Sequence, residues 1–395
     1  MNKPIYLDYA AATPMDPVVV DAMRPYLAEQ FFNPSATYLA AENVRKDLET
    51  ARARVAHWLG VRPSEIVFTA GGTEANNLAI RGVMEQFPDA NVVVSAIEHE
   101  SVLAPAQEFA KSLSVKGQAF YREGICRLAP VEPDGVVNLG KLSGLIDDQT
   151  VLVSVAYANN EVGTIQPLRQ IAQKLEEIRK QRKSSGNDRP LYFHTDAAQA
   201  AAYLDLHASR LGVDMMTVNG GKIYGPKQTG VLFVGNNVVL KPQISGGGQE
   251  RGFRSGTENV AGAIGLAKAL DLVQERRHQE AQRLQQLQKL FFSLIEENFP
   301  TAIINGSRKN RLPNNVHATF PGQDNERLIF QLDAAGILCA TGSACSASSE
   351  APSHVLKAMG KSDAEAQSSL RFTLGLQTTE ADIRRTIDVL RSNIV

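Results

Sequence analysis

Between about residue 60 and residue 235, short β-branched apolar runs alternate with helix-like stretches. Residues 65–69, 91–97, 151–156, 191–194, 215–218 and 231–234 read as strands, and helices are expected over 74–85, 101–113 and 168–180. Such alternation predicts an α/β fold: a mainly parallel sheet flanked by helices, holding its ligands outside the carboxyl ends of the strands. Residues 184–190, rich in Ser, Asn, Asp and Pro, read as a surface loop. After Thr257 the pattern changes. From Glu258 to about Asn298 there is no proline, and Leu, Ala, Gln, Glu and Arg dominate. One helix of that length would span about 60 Å at ~1.5 Å per residue, so a bend or a break into two helices is expected. The rest of the chain mixes short strands with helices. The expected division is a large domain over 15–262 and a smaller α+β domain made of 1–14 and 263–395.

Composition narrows the classes of function. A chain of 395 residues, 43% hydrophobic and 21% charged, has room for two or three domains and the balance of a folded protein. Its net charge of −1 offers no general electrostatic reason to bind nucleic acid or an anionic membrane. The basic run Arg179-Lys180-Gln181-Arg182-Lys183 reads as the solvated end of a helix, where cations favour the exposed carbonyls. Cys126, Cys339 and Cys345 are too few and too scattered for a disulfide framework, and none forms the C-x-x-C pair of a structural zinc site. No apolar run approaches the ~20 residues needed to cross a bilayer, and a cytoplasmic protein is expected.

Four segments carry chemistry. Phe68-Thr69-Ala70-Gly71-Gly72-Thr73-Glu74 reads as a strand, a glycine turn and a helix start with Thr73 as N-cap, suited either to a phosphate or to an ordinary turn. It is neither a dinucleotide nor a Walker pattern. Asp196 and Lys222 sit at or just beyond the ends of strands, as a surface ion pair or as the carboxylate and lysine that pyridoxal phosphate requires. Residues 245–257, rich in Gly, Arg and hydroxyls, read as an anion-binding loop. Finally, Cys345 lies among Gly, Ser and Ala with nothing to pack against and reads as an accessible thiol, whereas Cys339 ends an apolar run and reads as core.

These segments, with Ile5-Tyr6-Leu7-Asp8-Tyr9-Ala10-Ala11-Ala12-Thr13-Pro14, Phe31-Phe32-Asn33-Pro34-Ser35, Asn159-Asn160-Glu161-Val162-Gly163 and Leu370-Arg371-Phe372-Thr373-Leu374-Gly375, give the chain its likeness. It resembles the NifS/IscS-like cysteine desulfurases, class V aminotransferases among the fold-type I pyridoxal phosphate enzymes. The stretch from Cys345 to Leu356 resembles the long-loop group.

The resemblance implies the following roles. Lys222 would carry pyridoxal 5'-phosphate as a Schiff base and later remove the substrate Cα proton. His99 would stack on the cofactor ring and assist proton transfers; Asp196 would pair with the ring nitrogen, and Gln199 would bond the phenolic oxygen. Gly72 and Thr73 would hold the phosphate, joined by Thr257 from the partner in a homodimer. Asn160 would lie beside cofactor and substrate, and Arg371 would clamp the carboxylate of L-cysteine. Cys345 would take the sulfur as a persulfide and pass it to an acceptor such as an iron–sulfur scaffold, with cluster ligation by Cys345 a further possibility. Two positions depart from the family. Asn219-Gly220-Gly221-Lys222 stands where Ser-x-His-Lys is usual, which makes Asn219 a candidate phosphate donor, and Leu376 stands where relatives often carry a second arginine. The alternatives are a cysteine or selenocysteine lyase on the same fold, and a degenerate, non-catalytic scaffold.

Overall fold

The computed structural model describes residues 4–111, 113–115, 118–120, 125–341 and 352–394. Cys345 lies outside the described residues, as does the small-residue stretch around it. A seven-stranded sheet forms the centre, built from β1 (Ile66–Thr69), β2 (Asn91–Ser95), β3 (Cys126–Ala129), β4 (Thr150–Ser154), β5 (Tyr192–Asp196), β6 (Met215–Asn219) and β7 (Gly230–Val234). Their spatial order is β1-β7-β6-β5-β4-β2-β3. All run parallel except β7, which is antiparallel to both neighbours. Strands β2, β4 and β7 are buried along their whole length, which is why they read as short runs of consecutive apolar residues.

Every expected strand and helix of this region is present, with shifted ends. The expected strand 91–97 stops at Ser95, and the helix expected at 74 begins at Gly72. The N-cap of that helix is Gly71, not Thr73, which lies in the first turn. Gly71 takes a φ of 133°, a conformation that side chains rarely adopt, so glycine moves the start of the helix forward. In the basic run, Arg182 is not solvated. It is buried and donates to the carbonyl of Asp147, while Arg179 pairs with Asp214 at 2.5 Å.

The expected break of the stretch after Thr257 into two helices is absent. Val260–Asn298 is one helix of 39 residues. Its first half packs Leu266, Ala269, Leu270 and Val273 into the core of the large sheet's layers; its second half carries Leu284, Phe291 and Ile295 into the smaller unit. Two early glycines of this helix are contact points. A Cβ at Gly262 would meet Thr229 Cγ2 at 2.7 Å, and one at Gly265 would meet Met23 Sδ at 2.5 Å. Contact on both halves outweighs the low helix propensity of these residues.

The smaller unit is built on a three-stranded antiparallel sheet of Ile303–Ile304, Asn315–Thr319 and Ser369–Thr373. The amino-terminal strand Ile5–Tyr6 pairs in parallel with Ile337–Leu338, and Asp8 bridges to Thr373. Residues 10–13 then reach across to the end of β6, where Thr13 N–H donates to the carbonyl of Gly221 at 3.1 Å.

Candidate active site

The carboxyl ends of β1, β2, β4, β5 and β6 open on one cleft, closed from the opposite side by Ala10, Ala11 and Arg371. Gly72, Thr73, His99, Asn160, Asp196, Gln199, Asn219, Lys222 and Arg371 all line it. Sequence reasoning named these nine, and the fold brings them together. Thr257 does not line this cleft; it lies with Thr69, Gly230 and Arg254 in another hollow of the chain.

Asp196 ends β5, and Lys222 follows the adjacent β6 by one 3₁₀ turn, Gly220–Lys222. They make no surface ion pair. Lys222 Nζ donates to the carbonyls of Ala10 at 2.9 Å and Ala11 at 2.6 Å. Gln199 Nε2 donates to the same Ala10 carbonyl at 3.0 Å. Asp196 Oδ1 accepts the N–H of Ala198 at 2.8 Å, and its Oδ2 accepts from Asn76 Nδ2 at 2.7 Å, so the carboxylate is held at both oxygens.

At the other end of the cleft the helix Gly72–Gln86 presents its amino terminus. Asn219 Oδ1 accepts the N–H of Gly221 at 3.0 Å, which turns the amide nitrogen toward Gly72. A Cβ on Gly72 would stand only 3.2 Å from that nitrogen. Helix N–H groups, Thr73 and the Asn219 amide thus surround a space that only glycine leaves clear, which suits a phosphate. With Asp196 for a ring nitrogen and Lys222 for an aldehyde carbon, the donor set fits pyridoxal phosphate.

Charge in the cleft is sorted by burial. Glu98 is fully buried; desolvation lifts its carboxyl well above the usual range, and the nearby charge of Asp196 lifts it further. Its Oε1 accepts the N–H of Ala156 at 2.6 Å. Burial thus disfavours a charge on Glu98 beside Asp196. Arg371, 2% exposed, donates through Nη2 to Asp8 Oδ1 at 2.8 Å and through Nη1 to the Asn160 carbonyl at 3.2 Å; its Nε has no hydrogen-bond partner among the described residues.

The glycine-rich loop keeps its arginines occupied. Arg254 pairs with Glu74 at 2.9 Å, and Arg251 donates to the carbonyl of Ile66. Glu250 and Arg251 both take left-handed conformations, with φ of 48° and 56°. A bidentate pair between Arg52 and Glu250, at 2.7 and 2.8 Å, holds that strained turn against β1.

Four residues of the site escaped sequence reasoning: Asn76, Ser101, Asp8 and Glu161. Asn76 had a signal, since it lies one turn beyond Thr73 on the same helix face. Glu161 is buried and accepts from Ser353 Oγ, which also caps the helix His354–Ala358.

Residues 5–386 match the class-V aminotransferase family. The chain belongs to that family. Among its relatives is the cysteine desulfurase IscS of Dictyoglomus turgidum, 39% identical over 392 residues, with 99% of this chain and 94% of that protein covered. The cysteine desulfurase IscS 1 of Archaeoglobus fulgidus is 39% identical over 390 residues, covering 98% and 95%. Among solved structures, a NifS-like protein superposes with a TM-score of 0.88 at 30% identity, covering 98% of both chains. SspA in complex with cysteine gives a TM-score of 0.77 at 33% identity, covering 94% of this chain and 98% of that one.

Proposed function

We infer that this protein is a pyridoxal 5'-phosphate-dependent cysteine desulfurase, converting L-cysteine to L-alanine and passing the sulfur on. The observation that carries the reading is the convergence of Lys222, Asp196, His99, Gln199 and Arg371 on one cleft at the carboxyl ends of the sheet. When bound, pyridoxal phosphate supplies an electron sink that makes the bond between substrate Cβ and sulfur breakable. The protein's own groups do the rest. Lys222 would leave its two carbonyl partners to hold the cofactor and then take the substrate Cα proton, and Asp196 would keep a proton on the ring nitrogen. Arg371 grips the substrate carboxylate, for which its fork is shaped. Cys345, as thiolate, bonds to the substrate sulfur while the Cβ–S bond breaks, and keeps that sulfur as a persulfide.

The working form is a homodimer in the cytoplasm. Support comes from Thr257, which does not line its own cleft, and from the apolar stretch that exposes Leu27, Phe31, Tyr38 and Leu39 by more than half. The sulfur acceptor is a protein of iron–sulfur cluster assembly or of thiolation. Incubation with L-cysteine and a reductant, with alanine and sulfide measured together, is the direct test. Equal yields of both support the reading, and alanine-free sulfide sinks it.

A further inference from the structure

Asn76 is 1% exposed, and an acceptor orients its amide. The Asp196 carboxylate lies 2.7 Å from Asn76 Nδ2 and accepts only, so the nitrogen of the amide, not the oxygen, faces it. The second hydrogen of the same nitrogen goes to Ser101 Oγ at 2.8 Å. Asn76 Oδ1 is left buried without a hydrogen-bond partner among the described residues, so the side chain is placed for what its nitrogen does.

Ser101 Oγ accepts from Asn76 and sends its own proton elsewhere. His99 Nδ1 lies 2.8 Å away. The backbone N–H of Ser101 also donates to His99 Nδ1, at 3.1 Å. Two donors converge on one ring nitrogen. Nδ1 therefore presents a lone pair, and the ring proton of neutral His99 resides on Nε2.

We propose that Asp196, Asn76 and Ser101 form a relay that locks His99 in its Nε2–H tautomer, with Asn76 and Ser101 as positioning residues for the proton His99 donates. The proposal rests on the reading of His99 as a group that serves the cofactor and substrate. It divides the labour of proton transfer. His99 meets the reacting atoms with a donor, so the base that first takes the Cα proton is Lys222. The relay also ties the orientation of the imidazole to the carboxylate that faces the ring nitrogen, so the two contacts with the cofactor ring are set together.

The test is nitrogen-15 NMR of the holoenzyme labelled in histidine, above the pH range in which histidine protonates, with the His99 signals assigned by their loss in His99→Gln. A protonated Nε2 and a hydrogen-bonded, unprotonated Nδ1 are expected. Ser101→Ala removes one of the two donors. It should shift the Nδ1 signal and lower kcat about fivefold, as loss of a hydrogen bond worth roughly 1 kcal/mol would do, with KM little changed. Ser101→Thr should restore both signal and rate. An Nδ1–H tautomer in the wild type, or His99 signals indifferent to Ser101→Ala, would overturn the proposal. Failure of the underlying reading shows differently: His99→Gln would then be fully active, whatever tautomer the NMR reports.

Discussion

Asp8 holds Arg371 across 363 positions of sequence, its carboxylate 2.8 Å from Nη2. The guanidinium is thereby aimed before any substrate arrives, with its buried Nε left unpartnered among the described residues. Asp8→Asn keeps the shape and removes the charge. A charge-assisted bond of this kind is worth about 1.5–3 kcal/mol, so a rise in KM for L-cysteine of at least about tenfold is expected, with kcat much less affected. Steady-state kinetics decide it. An unchanged KM would mean that the backbone alone orients Arg371.

The three thiols should behave as two classes. Burial pushes Cys126 up to about 11 and Cys339 up to about 12, so neither offers thiolate near neutral pH. The doubly substituted Cys126→Ala, Cys339→Ala protein should keep its activity and, after incubation with L-cysteine, carry one extra sulfur on Cys345 by mass spectrometry. Cys345→Ala should bind the cofactor and release almost no sulfide. Normal sulfide release by that variant would identify the reaction as a lyase elimination.

Gly221→His should bind pyridoxal phosphate about tenfold more tightly than the wild type in a titration of apo-protein. A Cβ at Gly221 would meet Asn219 Oδ1 at 3.5 Å and Lys227 Cγ at 3.6 Å, both ordinary contacts, so a side chain can be accommodated. An imidazole there adds a donor to a charged phosphate. Equal affinity would show that the Asn219 amide already satisfies that oxygen.

His194 makes stability depend on pH. Burial pushes it from 6.5 down to about 4, and it is held between Ser154 Oγ at 2.8 Å and Thr217 Oγ1 at 3.1 Å. The folded chain binds fewer protons at this site than the unfolded chain. The contribution is therefore complete above the unfolded value and is lost as pH falls from about 6.5 toward about 4, amounting to about 3 kcal/mol. Urea denaturation at pH 7.5 and at pH 5 should show a smaller loss in His194→Gln than in the wild type. Identical losses would place the acid sensitivity elsewhere.

Mixing Lys222→Ala with Thr257→Val subunits tests whether cleft and loop belong to different protomers. Heterodimers would contain one cleft with both residues intact, so activity should reappear in the mixture. Two variants that stay impaired after subunit exchange would return Thr257 to a role within its own chain.

Much of the large sheet was legible because parallel strands buried on both faces need β-branched residues along their length. Strand β3 was not: Cys126-Arg127-Leu128-Ala129 lies at the sheet edge with Leu128 exposed, so nothing in its composition marks a strand. The unbroken helix was hidden for a different reason. The length of the run argued for a bend or a break, and no linear pattern shows that both halves of one helix have a layer to pack on. Within the site, Lys222 and Asp196 could be singled out from their places at strand ends, with a surface ion pair left open, and His99 only through the family resemblance. The partners Asp8 and Ser101 could not, because their function is to orient another side chain, and that depends on distances no linear spacing records.

The pairing of Ile5–Tyr6 with Ile337–Leu338 has a consequence for how the protein is made. The strand Ile5–Tyr6 is made more than 300 residues before its partner. At ~5–20 residues per second, that interval is roughly 15 to 70 s. Throughout it, Ala10 and Ala11 have no anchored strand to place them over Lys222. The cleft around Lys222 is thus completed only after Ile337–Leu338 has been made.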